Sequence, residues 1–304
     1  MKVGIIGGAG LLGSTMAFCI AQKNIVDEIV LIDVKENVAR AHVMDMEQAI
    51  SEYNQTSITY GKWDALAKCD IVIMTASMPE RPVTSRIEYL ENNMPIVKTV
   101  GEHIKQYCPN AAIINGTNPV DPFDYILCDI TGMPARQFIG FSRNDSLRLR
   151  WAIAKLLGVQ TYDVQALVIG EHGEAQVPLY SSVKVKGEPV ILSGEQKSQV
   201  DQMIKTWFVN YQALQSGRTS GWTSGLAVAY LVEAMVKRTG EVLACSAILN
   251  GEYGISGVSV GVPVVLGPKG IEKIVEMPLS EEESEGLKIA AKKMADVLKG
   301  IRWE

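Results

Sequence analysis

The sequence predicts an α/β protein in which a doubly wound parallel sheet is followed by a mixed α+β domain. Between residues 2 and 141, short β-branched runs alternate with helical stretches, and after Asp145 the pattern changes to long amphipathic helices and a hairpin. Near-continuous apolar strands separated by helices are typical of a parallel sheet that is covered on both faces. We therefore predict domains at 1–142 and 143–304, with the ligand site in the cleft between them.

The individual elements follow from apolar periodicity and turn signals. In the first domain, β-branched runs predict strands at 3–6, 29–32, 71–74 and 111–114. The second domain is predicted to contain a helix to about Leu157, a strand at 164–169, helices at 195–214 and 222–238, a hairpin with Asn250-Gly251 as its turn, and a helix from Ser280 to about Leu298. This last helix begins with the capping-box pattern Ser280-Glu281-Glu282-Glu283.

Composition and charge narrow the classes of function. With 304 residues, 47% hydrophobic content and a net charge of -5, the chain is typical of a globular protein and has no basic stripe for nucleic acid. It has no apolar run long enough to span a membrane, and its five scattered cysteines form no C-x-x-C pair. We therefore expect a cytoplasmic protein without a disulfide framework or a metal site, whose partner is a small molecule.

A glycine-rich turn follows the first strand and precedes a helix. Gly8, Gly10 and Gly13 satisfy the G-x-G-x-x-G pattern of a Rossmann-type dinucleotide site, and Gly7, Gly10 and Gly13 fit a second register. Asp33 ends the second strand, where a carboxylate can bind an adenosine ribose and would repel the 2′-phosphate of NADP. These features predict NAD as the cofactor. The alternatives are a turn that is merely tightly packed and an edge-strand aspartate without a ligand.

The three histidines of the chain lie in different surroundings. His42 and His103 lie in predicted helices, where an isolated histidine is usually a surface or packing residue, and we assign them no role. His172 lies between a strand end and a loop, and an imidazole in such a position is a natural proton carrier near neutral pH.

With His172 the chain presents six motifs whose order is that of a known family. They are the glycine turn with Asp33, Thr75-Ala76-Ser77 ahead of a loop with Arg81 and Arg86, Thr117-Asn118-Pro119-Val120-Asp121, Asp145-Ser146-Leu147-Arg148, Gly170-Glu171-His172-Gly173, and Gly251-Glu252-Tyr253-Gly254 ahead of Gly261-Val262-Pro263. Over essentially its whole length the sequence resembles the lactate/malate dehydrogenase family. Because the chain begins at its first strand, it is more similar to the bacterial and archaeal members.

The resemblance implies an NAD-dependent oxidoreductase of a small 2-hydroxy acid. It makes His172 the acceptor of the hydroxyl proton, Asp145 the carboxylate that orients its ring, and Arg148 the clamp for the substrate carboxylate. It further makes Arg86 the residue that polarises the reacting carbonyl, and Asn118 a partner of the substrate oxygen and the nicotinamide. Without the resemblance, Asp145 and Arg148 could be only a helix-start acid and its ion-pair partner.

The same resemblance implies a set of cofactor contacts. They are Gly8, Gly10, Leu11, Leu12, Gly13, Asp33, Thr75, Ala76, Ser77, Asn93, Thr117 and Asn118. For Asn93 the alternative is a solvated helical asparagine. The family also implies a homodimer or a homotetramer.

Departures from the family pattern concern the substrate side chain. The loop position that selects the substrate carries arginine in malate enzymes and glutamine in lactate enzymes, whereas here it is Glu80, followed by Arg81. Asn144 stands where the family usually has an apolar residue before the aspartate. Ser220 departs from the family at a helix-start position that lines the substrate side chain. Glu80 slightly favours a monocarboxylate substrate. The alternatives are a malate dehydrogenase that uses Arg81 as its selector and a dinucleotide-binding protein without turnover.

Overall fold

A computed structural model describes residues 1–78, 86–216, 220–301 and 303, with 86–88 described by their backbone only. The first half of the chain contains strands β1 (Lys2–Ile6), β2 (Glu28–Ile32), β3 (Ser57–Tyr60), β4 (Ile71–Met74), β5 (Ala112–Asn115) and β6 (Phe138–Gly140), and helices α1 (Leu11–Gln22), α2 (Glu36–Ile50), α3 (Arg86–Tyr107) and α4 (Val120–Thr131). The four predicted strands are confirmed. The sequence does not predict β3 and β6, which are among the shorter strands of this sheet.

These six strands are parallel and lie in the order β3-β2-β1-β4-β5-β6. Nearly every residue of β1, β2, β4 and β5 is buried, because helices cover both faces of the sheet. The order reverses between β1 and β4. In open parallel sheets, ligands bind beyond the carboxyl ends of the strands at such a switch point.

The second half of the chain is a mixed layer of helices and antiparallel strands. It contains helices α5 (Arg143–Leu157), α6 (Gly194–Ala213), α7 (Gly221–Lys237) and α8 (Glu281–Lys299), and strands β7 (Val164–Gln165), β8 (Val168–Gly170), β9 (Gln176–Pro178), β10 (Lys184–Val185), β11 (Glu188–Pro189), β12 (Val242–Asn250), β13 (Ser256–Gly267) and β14 (Gly270–Ile274). The predicted α/β fold with its parallel sheet and following α+β part is confirmed.

One sheet runs through both halves of the molecule. Gly140 of β6 pairs antiparallel with Ser246 of β12, and the sheet continues through β13 and β8 to β9, with β14 on the far part of β13. The core is therefore continuous from β1 to β13. A smaller core lies between α5, α6 and the three-stranded sheet β11-β10-β7.

The predicted strand at 164–169 is wrong as a single element. It breaks into β7 and β8, which belong to different sheets. At the break, side chains of α5 bind the backbone: Arg150 Nε donates to the Ala166 carbonyl at 3.0 Å, and the Val168 amide donates to Ser146 Oγ at 3.0 Å. The Ala166 carbonyl and the Val168 amide therefore have hydrogen-bond partners without a neighbouring strand.

The predicted hairpin is confirmed, since β12 pairs antiparallel with β13, but of Asn250-Gly251 only Gly251 has a positive φ. Asn250 still belongs to β12, and the chain returns through a 3₁₀ turn at Glu252–Gly254. Tyr253, at φ 54°, stabilises this longer loop, because its hydroxyl donates to the Val275 carbonyl and accepts from the Met277 amide, both at 2.9 Å.

Helix ends agree with the sequence signals. Ser280 caps α8, its hydroxyl accepting from the Glu283 amide while the Glu283 carboxylate accepts from the Ser280 amide, so the predicted capping box is confirmed. Ser193 and Gln196 form a second capping box at α6. These caps satisfy amides that have no partner within the helix.

Candidate active site

The glycine turn lies at the switch point, directly after β1. Gly7 has φ 89°, and a Cβ there would lie 2.7 Å from both the Ala76 amide nitrogen and Thr75 Oγ1. A Cβ at Gly13 would overlap the Gly7 carbonyl oxygen. Gly7 therefore makes the first tight turn, and Gly13 allows α1 to pack against it. A Cβ on Gly8 would lie 2.9 Å from Leu31 Cβ, so the glycines of both registers lie where space is tight.

Gly10, the N-cap residue of α1, leaves bare backbone at the helix start. A Cβ on Gly10 would meet only the Gly7 carbonyl oxygen, at 3.3 Å, and glycine has no side chain to cap the helix. Leu11 and Leu12 follow as the first helical residues, and the amides of a first turn have no partner within their helix. Such a terminus attracts a pyrophosphate through its N–H groups and its dipole.

Asp33 shapes the turn as well as facing the ligand side. Its Oδ2 accepts from the Ala9 amide and its Oδ1 from the Lys35 amide, both at 2.9 Å. The Gly7 and Gly8 amides donate to the Ile32 carbonyl at 2.9 and 3.2 Å. Asp33 is half-buried, and each carboxylate oxygen has a second lone pair, so it can still accept from ribose hydroxyls.

The far edge of the dinucleotide cleft is built from the ends of β4 and β5. Thr75 Oγ1 donates to the Ile6 carbonyl at 3.0 Å, and Thr117 Oγ1 donates to the Ala76 carbonyl at 3.0 Å. Thr75 and Ala76 are half-buried, Thr117 is buried, and Ser77 is exposed. These bonds hold the two strand ends together beside the glycine turn.

Asn93 joins this edge to the turn before α4. It is fully buried; its Oδ1 accepts from the Met78 amide at 2.8 Å, and its Nδ2 donates to the Asn118 carbonyl at 3.2 Å. The alternative of a solvated Asn93 is wrong. The Asn118 residue itself is exposed at the mouth of the site.

His172 and Asp145 form the centre of the site. His172 Nδ1 lies 2.6 Å from Asp145 Oδ2, although the residues come from different elements, the loop after β8 and the first turn of α5. Burial alone would lower the pKa of His172, but the carboxylates of Asp145 and Asp121 outweigh burial and the opposing charge of Arg148, and the pKa is raised. A buried carboxylate at Nδ1 also holds the proton on that nitrogen, which leaves Nε2 as the basic one.

Arg148 lies beside this pair. Its Nη1 donates to Asp145 Oδ1 at 3.2 Å, so the predicted helix ion pair exists, and the same carboxylate also binds His172. The guanidinium lies 4.8 Å from the ring centroid of Trp207 in α6, whose indole stacks on Tyr211 at 5.1 Å. The arginine is thereby held between a carboxylate and an aromatic face.

The remaining predicted substrate residues are placed as follows. Ser220 is the half-buried N-cap residue of α7, and its side chain makes no capping bond. Asn144 is buried and donates to Ser224 Oγ at 2.7 Å, joining α5 to α7. Arg86 is the first residue of α3, and its side chain lies outside the described residues, as do Glu80 and Arg81.

Three contacts that sequence reasoning did not identify anchor the His172 loop. The His172 amide donates to Asp121 Oδ2 at 2.8 Å, the Ala175 amide donates to Glu171 Oε2 at 2.9 Å, and Lys293 Nζ lies 2.7 Å from Glu171 Oε2. Asp121 stands in a recognised motif, but nothing local assigns it a role. Lys293 carries no sequence signal, since α8 reaches the loop only in the folded chain.

A dinucleotide turn at the switch point, together with a histidine–aspartate pair beside an arginine, defines a nicotinamide-dependent oxidoreductase. Family models match the chain as lactate/malate dehydrogenase, NAD binding domain, over residues 1–140, and as lactate/malate dehydrogenase, alpha/beta C-terminal domain, over residues 143–302. The chain belongs to the lactate/malate dehydrogenase family.

Individual proteins agree with this assignment. A malate dehydrogenase of Natronomonas pharaonis is 34% identical over 298 residues, covering 97% of this chain and 97% of its own. The crystal structure of Cryptosporidium parvum malate dehydrogenase matches with a TM-score of 0.92 at 30% identity, over 98% of each chain. The lactate dehydrogenase of Cryptosporidium parvum, complexed with lactic acid and β-nicotinamide adenine dinucleotide, matches with a TM-score of 0.92 at 30% identity, over 98% of this chain and 97% of the other.

The family confirms two predictions, an oxidoreductase of 2-hydroxy acids and NAD as its cofactor. Malate and lactate dehydrogenases both occur among the similar proteins, so membership does not distinguish the two substrates. None of the helices in the described part of the chain is long and apolar enough to cross a membrane. The same residues contain no group of three or more His, Cys, Asp or Glu side chains placed to hold a metal ion.

Proposed function

We propose that the protein is an NAD-dependent L-2-hydroxy acid dehydrogenase in which His172 exchanges the hydroxyl proton of the substrate. The observation that carries this proposal is the 2.6 Å contact between His172 Nδ1 and Asp145 Oδ2, with Arg148 on the other oxygen of the same carboxylate. This arrangement supports a proton acceptor with a carboxylate clamp beside it.

The residues at the switch point fit the dinucleotide. The bare backbone at Gly10 and the first amides of α1 suit a pyrophosphate, and the accessible Asp33 suits a ribose. Leu11, Leu12 and Thr75 to Ser77 complete this proposed contact surface, with Asn93 supporting Asn118 from behind. When bound, NAD in its oxidised form accepts a hydride from C2 of the 2-hydroxy acid.

The chain's own residues handle the proton and the carboxylate. As the C2 hydroxyl becomes a carbonyl, its proton moves to Nε2 of His172, and the resulting imidazolium is stabilised by Asp145 at Nδ1. The planar guanidinium of Arg148 orients the substrate carboxylate, a geometry that lysine cannot reproduce. In this proposal Arg86 polarises the reacting carbonyl oxygen and Asn118 donates to it, as in the family pattern.

For the substrate side chain we favour a monocarboxylate such as a lactate-like acid. Glu80 occupies the family's selector position, and two like charges about 4 Å apart repel by roughly 4 kcal/mol at an effective dielectric near 20. That energy corresponds to almost three decades of discrimination against a dicarboxylate. The hydroxyl of Ser220, at the start of α7, makes no capping bond and would line the same pocket.

Malate dehydrogenase is the second candidate, because the relative from Natronomonas pharaonis carries that name. In that case Arg81 faces the substrate and pairs with its second carboxylate.

Three further proposals concern the protein as a whole. They are a domain division at 142/143, assembly as a homodimer or homotetramer, and a cytoplasmic location.

NADH oxidation with a panel of 2-oxo acids tests the proposal. The panel includes pyruvate, oxaloacetate, branched 2-oxo acids and one 2-oxo acid with a cationic side chain. We expect turnover with at least one member, and fastest with a monocarboxylate. No turnover across the panel despite tight NADH binding would favour a dinucleotide-binding protein without catalysis.

Two variants assign the selector. Glu80→Arg should raise activity on oxaloacetate by roughly two to three decades, while Arg81→Ala should change it little. The opposite pattern would identify Arg81 as the selector and malate as the substrate.

A further inference from the structure

Asp121 and Asp124 of α4 are buried where the parallel and antiparallel parts of the sheet meet. Asp121 is 2% exposed and Asp124 is 0% exposed. The two residues are three positions apart, so their side chains lie on one face of the helix. Carboxylates are rarely buried to this degree unless they are paired or protonated, which makes the pair unusual.

Asp121 connects three elements through one carboxylate. Its Oδ2 accepts from the backbone N–H of His172 at 2.8 Å, and its Oδ1 accepts from the Ser246 hydroxyl of β12 at 2.6 Å. Ser246 Oγ in turn lies 2.8 Å from Ser259 Oγ of β13. The backbone of the His172 loop is therefore attached to α4 and, through it, to the central strands.

Gly140 packs closely against Asp124 and Ser246. A Cβ on Gly140 of β6 would overlap both Asp124 Oδ2 and Ser246 Cβ. A glycine at this position is thus what makes room for Asp124 beside the sheet.

The two carboxyl groups differ in charge state. Burial raises the pKa of Asp121 to about 6, against the lowering effect of the Ser246 and His172 contacts, so Asp121 is mostly ionised at neutral pH. Burial, together with the negative charge of Asp121, raises the pKa of Asp124 well above its ordinary value. The Asn115 and Ser259 side chains lie near enough to oppose this rise, although neither Asp124 oxygen forms a hydrogen bond of good geometry among the described residues, and the Asn115 amide donates to the Val120 carbonyl. These directions favour one negative charge on the pair, located on Asp121.

We propose that Asp121 is a positioning residue for His172, which fixes the backbone of the catalytic loop and stabilises the imidazolium by its charge. This proposal rests on the proposed role of His172 as the proton carrier. It gives the histidine two carboxylates with different tasks. Asp145 orients the ring through Nδ1, and Asp121 holds the peptide and adds a second negative charge behind it.

The charges around the loop are consistent with this division. Asp145, Asp121 and Arg148 act on His172, and His172, Glu171 and Asp124 are the charged or titratable neighbours of the Asp121 carboxylate. Glu171 is itself paired with Lys293 at 2.7 Å. Loss of the Asp121 charge therefore changes the electric field at the His172 ring without removing the hydrogen bond between that ring and Asp145.

An NMR titration of the histidine ring resonances in the whole protein tests the proposal. With only three histidines, the His172 signal is identified by its loss in His172→Asn. We expect Asp121→Asn, which retains an oxygen for the His172 N–H, to lower the titration midpoint of His172 and to move the pH profile of kcat/KM in the same direction. NADH affinity should stay within about twofold of wild type, because the dinucleotide contacts are elsewhere.

Two further variants give the controls. Asp129→Asn removes one carboxylate from the exposed side of the same helix and should leave the His172 midpoint unchanged. Asp124→Asn should also leave it close to wild type, since a protonated acid and an amide are both neutral. A fall as large as that of Asp121→Asn would show that Asp124 is ionised, and would overturn the assignment of its proton.

If Asp121→Asn does not fold, Ser246→Ala provides a second test of the role of Asp121. It removes one hydrogen bond to the ionised Asp121 and should lower the His172 midpoint by a smaller amount. An unchanged His172 midpoint in every soluble variant of Asp121 and Ser246 would overturn the proposal. Because the titration needs no substrate, this failure is distinct from a failure of the proposed function, which would be turnover that survives in His172→Asn.

Discussion

Replacement of Asp145 by asparagine removes the charge at His172 Nδ1 and preserves the shape of the side chain. The asparagine amide can donate to Nδ1, which would move the ring proton to Nε2 and leave no basic nitrogen for the substrate. Asparagine also keeps an oxygen for Arg148, now 3.2 Å from Oδ1, so substrate binding should suffer less than turnover. Asp145→Asn therefore separates the orientation of the base from the binding of the carboxylate.

The structure sets the size of this effect. Two unit charges 2.6 Å apart, the separation of His172 Nδ1 and Asp145 Oδ2, attract by about 6 kcal/mol at an effective dielectric of about 20. We expect kcat to fall by roughly three to four decades, which is about 4 to 5.5 kcal/mol and lies below that Coulomb limit. The NADH dissociation constant should be nearly unchanged.

Steady-state kinetics with the best 2-oxo acid, together with NADH binding followed by fluorescence, measure both quantities. The double variant Asp145→Asn/His172→Asn is the control, because two residues that act as one unit are not additive and the pair should be little worse than His172→Asn alone. A kcat for Asp145→Asn within about tenfold of wild type, or fully additive losses, would refute the reasoning.

Three more variants have defined outcomes. His172→Asn should cut turnover by roughly two to four decades, the usual effect of losing a positioned acid or base, while NADH affinity measured by fluorescence stays intact; wild-type turnover would exclude His172 as the base. Arg148→Lys keeps a charge but loses the planar fork, so KM for the 2-oxo acid should rise strongly with no change in NADH binding, and an unchanged KM would assign the carboxylate to another residue. Asp124→Asn should become relatively more stable than wild type as pH rises above about 4, because the unfolded Asp124 ionises there while the folded one, with its raised pKa, does not. Urea midpoints at several pH values measure this gain, and a difference between the two proteins that does not vary with pH would contradict it.

Local features account for what the sequence predicts correctly. The first strand, the glycine turn and the helix after it are adjacent in the chain, so their spacing alone indicates a dinucleotide site. The capping box at Ser280 likewise depends on four consecutive residues. His172 stands out because its strand-end position differs from those of the other two histidines.

Predictions fail where a tertiary contact overrides a local pattern. The run at 164–169 is apolar enough for one strand, but Arg150 and Ser146 of α5 bind its backbone and divide it. The Asn250-Gly251 pair is a strong turn signal, but Tyr253 binds the backbone near Met277 and stabilises a longer loop. In both cases the deciding side chain lies outside the segment from which the prediction is made.

Residue type and short spacing are enough to predict the dinucleotide turn, the strand and helix alternation and the strand-end histidine, whereas the roles of Asp145 and Arg148 beside it are implied only by the resemblance to the family. How that histidine is supported depends on the tertiary fold. Asp121 reaches the His172 amide across 51 residues, and Lys293 reaches Glu171 across 122. Such contacts depend on the order of the strands and on the docking of α8, so no local pattern predicts them. Asp121 and Asp124 are both buried, and it is the Ser246 and His172 contacts of Asp121 that favour a negative charge on that residue.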